Sequence, residues 1–147
     1  MSAQLLEILL VEDNENDIEL TLRAFQRHRL ANRIHVVRDG EEALDFLFDE
    51  ALEHARPKLI LLDLKLPKID GLTVLREIRS TARFHDVPVV VMTSSREDRH
   101  VIESHALGVT SYIVKPIEFE SFVETVRALG LYWALLNESP QLAQPVG

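Results

Sequence analysis

Leu59-Ile-Leu-Leu-Asp-Leu-Lys-Leu-Pro-Lys-Ile-Asp-Gly71 is the stretch that decides the fold. Its first four residues form a continuous apolar run, too short for a helix and suited to a strand buried on both faces. The run stops at Asp63. Pro67 and Gly71 punctuate the next few residues, and Leu72, Leu75 and Ile78 then recur at helical spacing. One strand, a polar residue at its end and one amphipathic helix form a strand–helix pair, and such pairs alternate along the chain on both sides.

Upstream, Ile8-Leu-Leu-Val11 ends in Glu12-Asp13, and Asp13 or Asn14 is placed to cap a helix carrying Ile18, Leu22 and Phe25. Ile34-His-Val-Val37 reads as a second strand and Asp39-Gly40 as its turn. A helix with Ala43, Leu44 and Leu47 comes next, running on toward Pro57. Downstream, Val89-Val-Val-Met92 ends at Thr93, and Ser95-Arg-Glu-Asp98 has capping-box spacing for another helix. Tyr112-Ile-Val114 is a short fifth strand ending at Lys115-Pro116. A last helix from near Glu118 lines up Phe119, Phe122, Val123, Val126 and Leu129. Near-continuous apolar strands alternating with helices predict an α/β fold with a five-stranded parallel sheet covered on both faces. Ligands of such sheets bind outside the carboxyl ends of the strands. Glu12-Asp13, Asp63, Thr93 and Lys115 each stand at such an end.

The chain has 147 residues, 46 % hydrophobic and 27 % charged, as expected for one globular domain with a single core. A domain over residues 6–138 is expected, with 139–147 as a flexible tail. The net charge is −8, which excludes broad electrostatic binding of nucleic acid. There is no cysteine, so disulfides, thiolate metal sites and thiol nucleophiles are excluded together. No apolar run approaches the roughly 18 residues of a membrane span, and Met1-Ser-Ala-Gln4 has no positively charged segment ahead of an apolar stretch, so no secretory signal is expected. A cytoplasmic protein is expected.

Three carboxylates at one sheet edge repel one another unless a cation intervenes, and hard oxygen ligands select Mg²⁺. Asp63 and Asp13 are expected as direct ligands and Glu12 as a ligand through water. With the metal in place, Asp63 is suited to accept a phosphoryl group. Lys115 would balance the new phosphate, Thr93 would donate a hydrogen bond to it, and the N–H groups after Asp63 and Thr93 (that of Ser94 in the second case) would complete the cradle. Each residue alone has a plainer reading. Glu12-Asp13 serves as a solvated helix start, Asp63 as a strand-end cap, Thr93 as an N-cap and Lys115 as a snorkelling surface lysine. Their joint placement decides against these. A calcium-loop reading of Asp13-Asn-Glu-Asn-Asp17 fails, because Ile18 stands where the loop needs glycine.

Ile8-Leu-Leu-Val-Glu-Asp-Asn14, Leu61-Leu-Asp-Leu-Lys-Leu-Pro-Lys-Ile-Asp-Gly71, Val91-Met-Thr93 and Lys115-Pro116 resemble, in order and spacing, the receiver domains of two-component response regulators. The resemblance covers roughly residues 6–130. It implies a doubly wound, flavodoxin-like sheet of order 2-1-3-4-5 and phosphoryl transfer from a sensor histidine kinase to Asp63. It further implies the Lys65 backbone carbonyl as a metal ligand, a cis bond at Lys115-Pro116, and a switch in which Thr93 moves to the phosphate and Tyr112 turns inward. The Lys65 side chain either shields the phosphate or pairs with Glu12. The segment Leu47–Pro57 and Leu131-Tyr-Trp133 narrow the resemblance to stand-alone regulators paired with bacterial phytochromes, so the kinase would be a bacteriophytochrome.

From Ala128 to Leu136 the sequence is apolar almost all round, more than one buried stripe requires. Leu131, Tyr132 and Trp133 are therefore expected to form a homodimer interface on an extended last helix; the alternative is that the extension folds back on its own domain. Signalling would then run through protein contact, with no DNA-binding output domain, no nucleic acid and no membrane. An aspartyl-phosphate phosphatase or mutase would place a second aspartate where Lys65 stands, so a non-enzymatic role is expected. A receiver-like module that is never phosphorylated would not need the full acidic set, and a dinucleotide-binding enzyme would need a glycine-rich first turn.

Overall fold

The computed structural model describes residues 8–28, 33–49, 57–93, 111–115 and 118–128. In chain order the elements are β1 (Ile8–Val11), α1 (Glu15–His28), β2 (Ile34–Val37), α2 (Gly40–Leu47), β3 (Leu59–Asp63), α3 (Gly71–Ser80), β4 (Val89–Thr93), β5 (Ser111–Val114) and α4 (Phe119–Ala128). All five strands pair in parallel in the order β2-β1-β3-β4-β5, as expected.

The sheet sorts its side chains by parity. Leu9, Val11, Ile60, Leu62, Val89 and Val91 point to one face, where Ala43 and Leu47 of α2 and Val74, Leu75 and Ile78 of α3 close over them. Ile8, Leu10, Leu59, Leu61, Val90 and Met92 point to the other, against Ile18 and Phe25 of α1 and Phe122 of α4. Phe25 and Phe122 meet with ring centroids 4.6 Å apart, which ties α1 to α4. Every residue of β1, β3 and β4 is buried, and burying one such aliphatic side chain stabilises the fold by about 1.5–3 kcal/mol.

Short polar side chains start the helices. Asn14 caps α1, its Oδ1 accepting the Asp17 N–H at 2.9 Å. Asp70 caps α3 through the Thr73 N–H at 2.9 Å. Asp39-Gly40, expected as a turn, is instead the start of α2: Asp39 is the N-cap, accepting the Glu42 N–H at 2.7 Å, and Gly40 is the first helical residue. The reason is a close approach. A Cβ on Gly40 would lie 1.8 Å from the Ile69 carbonyl oxygen, and the Gly40 N–H donates to Pro67 O at 3.3 Å. The loop after β3 is thereby pressed onto the start of α2. Lys68 in that loop takes a left-handed backbone (φ 69°), and its ammonium lies 3.6 Å from Asp39 and 3.5 Å from Glu41.

α2 ends at Leu47, where the Phe48 N–H bonds Leu44 O, and residues 50–56 lie outside the described residues. So do the helix expected from Ser95, Leu129, and the chain from Leu131 through Trp133 to the tail.

Candidate functional site

The parallel sheet brings the polar residues that end β1, β3 and β4 to one edge. Val11 pairs with Leu62 and Asp63 with Met92, so Glu12, Asp63 and Thr93 stand on adjacent strands at nearly one level. Lys115 joins them because β5 runs beside β4, its N–H donating to Thr93 O at 2.9 Å.

One carboxylate oxygen each from Glu12, Asp13 and Asp63 lie within 4.8 Å of one another. Asp13 is exposed, whereas Glu12 is 1 % and Asp63 6 % exposed. Glu12 Oε2 accepts the Asn14 N–H at 3.1 Å and Asp63 Oδ1 accepts the Lys65 N–H at 3.2 Å. The Lys115 ammonium then reaches three acids: Glu12 Oε1 at 2.7 Å, Asp17 Oδ2 at 3.0 Å and Asp63 Oδ2 at 3.2 Å. The contact to Glu12 is the shortest of the three, between an oxygen withdrawn from water and an ammonium that is itself mostly buried. Burial pushes the Glu12 carboxyl up to about 7; Lys115 draws it down and the Asp63 charge raises it again. Burial works against the charge of Lys115, but Glu12, Asp17 and Asp63 outweigh it, and the ammonium is held above its ordinary range.

This donor set fits a divalent cation. It offers three hard oxygens, two of them on carboxylates withdrawn from bulk water, whose mutual repulsion a cation relieves. Glu12, Asp13 and Asp63 are all within reach of one ion. Lys115 forms an ion pair with Glu12, and the Lys65 side chain is exposed.

Thr93 is 2 % exposed, one position beyond the pairing partner of Asp63. Tyr112 is half-buried against the core on the α2/α3 face, and with Val114, Lys115, Glu118, Ser121 and Thr125 it lines a groove of about 430 Å³ between β5 and α4. Ser94, Pro116, Leu131, Tyr132 and Trp133 lie outside the described residues. Asp17 was not among the residues expected at the site. The only sequence signal for it is its place one helical turn after Asp13, on the first turn of α1.

Residues 8–127 match the response regulator receiver domain family. The bacteriophytochrome response regulator RtBRR is 51 % identical, with a TM-score of 0.82, and the match covers 92 % of this chain and 84 % of that one. The Mn²⁺-bound form of the response regulator Rcp1 is 37 % identical with a TM-score of 0.69, covering 86 % of this chain and 92 % of that one. The probable methanogenesis regulatory protein FilR2 of Methanothrix harundinacea is 42 % identical over 134 residues, 90 % of this chain and 86 % of that protein.

Proposed function

This chain belongs to the response regulator receiver family, and from that premise we propose that Asp63 is the residue that accepts the phosphoryl group. Relatives over most of its length are response regulators of two-component systems, and so is this chain. One observation carries the residue assignment: Asp63 ends a buried strand beside two further acids and 3.2 Å from an ammonium.

An Asp63 carboxylate oxygen attacks phosphorus as the bond to the donor's histidine nitrogen breaks, leaving an acyl phosphate on Asp63 and the imidazole on the donor. Asp13 and Asp63, with the Lys65 carbonyl and with Glu12 through water, would hold a divalent cation, whose charge would lessen the repulsion between carboxylate and phosphoryl group. The chain's own groups do the rest. The Lys65 N–H on Oδ1 holds the Asp63 carboxylate in one orientation. Lys115, already at Oδ2, follows the negative charge onto the phosphate. Thr93 and the Ser94 N–H cover its remaining oxygens, and Tyr112 reports the change to the groove between β5 and α4.

The donor in this reading is a sensor histidine kinase of the bacteriophytochrome class, after the relative at 51 % identity. The protein acts in the cytoplasm as one domain over residues 6–138, and it is not itself a catalyst of metabolism. No helix among the described residues is long and apolar enough to cross a membrane. Leu131, Tyr132 and Trp133 pair two copies, a reading supported by the apolar run from Ala128 to Leu136.

The direct test is incubation with a small phosphodonor and Mg²⁺ followed by intact mass. Wild type gains one acid-stable, base-labile phosphate and Asp63→Ala gains none. Equal labelling of both, or of neither, removes the assignment.

A further inference from the structure

Lys115 touches three carboxylates, but two of them have a second claim on them. Glu12 and Asp63 belong to the acid cluster that fits a metal ion; Asp17 does not. A dication and an ammonium compete for the same oxygens and repel each other at that range. When the metal draws on Glu12 and Asp63, Asp17 is the one carboxylate of the three left to Lys115.

Asp17 is built for constancy. Its N–H is bound by the Asn14 cap at 2.9 Å, and its carbonyl accepts the hydroxyl of buried Thr21 at 2.7 Å. Its side chain is 25 % exposed, and its Oδ2 accepts a hydrogen bond from Lys115 Nζ at 3.0 Å. The link joins α1 to the end of β5, 98 residues further along the chain.

We propose that Asp17 is a positioning residue, which retains the Lys115 ammonium at the site when a divalent cation occupies the Glu12–Asp13–Asp63 cluster. The inference deepens the metal-assisted reading above and rests on it. Without Asp17 the metal must displace Lys115 from its remaining partners, so metal binding weakens although Asp17 is no ligand.

The test uses the full chain with isotope-labelled lysine, observing the exchange-protected side-chain ammonium signal that disappears in Lys115→Met. In wild type it persists through Mg²⁺ saturation. In Asp17→Asn, which keeps the shape and the backbone bonds, it is present without Mg²⁺ and lost at saturation, and Asp17→Glu restores it. The Mg²⁺ Kd, followed by calorimetry, rises about three- to tenfold in Asp17→Asn but less than about twofold when the same change is made on Lys115→Met. A protected signal in Asp17→Asn at saturation overturns the proposal, as does an equal rise in Kd in both backgrounds, which would mean bare through-space charge. If wild type binds no Mg²⁺, the metal reading itself fails and takes this inference with it. If wild type binds Mg²⁺ and loses the signal, the inference alone fails.

Discussion

Glu12 keeps a carboxylate out of water, and burial raises its protonation to about 7 from an ordinary 4.5. The folded chain without metal therefore holds this proton more tightly than the unfolded chain does. Stability is greatest below about pH 4.5 on this account, falls as pH rises toward 7 and is level above, at no more than about 1.4 kcal/mol per pH unit. Urea unfolding without divalent cations should show that slope in wild type and lose it in Glu12→Gln; parallel curves would contradict it. Lys115 works in the same sense, in a higher pH window. Its raised pKa adds stability fully present below 10.5 and lost at higher pH. Lys115→Met leaves the acids unbalanced and should cost about 1–3 kcal/mol near pH 8, and less near pH 5, where Glu12 takes up a proton. Glu12, Asp13, Asp63, Thr93 and Lys115 were legible in sequence because each ends an apolar run. Asp17 was not, because its partner lies in another element and only the topology joins them.

At the scale of elements, the start of α2 and the loop after β3 form one joint. Gly40 has no room for a side chain against Ile69, and Gly71 has none against Asp63 and Leu64, where a Cβ would stand 2.5 Å from the Asp63 carbonyl oxygen. Gly40→Ala should destabilise by about 2–3 kcal/mol through overpacking against backbone, and Asp39→Ala by about 1 kcal/mol through the lost cap. Denaturant midpoints of the two variants test the order, and a milder effect for Gly40→Ala would show that the loop yields. The exposed Lys68 pairs add little to either figure. Strand limits were readable within a residue, since continuous apolar runs bounded by Pro, Gly and Asp admit few alternatives. Asp39-Gly40 reads as a turn in sequence because the pair is common to turns and helix starts, and only the approach of Ile69 separates them.

The whole molecule is a sheet between two apolar layers, each closed by helices that the sequence pattern had placed. Leu61→Ala opens a cavity under α1 and α4 and should cost about 2–5 kcal/mol in chemical denaturation. For self-association, sedimentation of a chain cut before Leu131 should give the monomer; unchanged association would place the contact elsewhere. One property of the sheet reaches further. In β1, β3 and β4 both parities are apolar and fully buried, so sliding a strand by one residue exchanges one greasy row for another. Hydrophobicity alone barely distinguishes the frames. What does is the polar residue at each end: a slip moves Glu12, Asp63 or Thr93 by about 3.3 Å, drawing it into hydrocarbon or away from its partners. These polar residues thus act as the frame marks of the sheet, and replacing them with apolar residues would cost the protein its alignment.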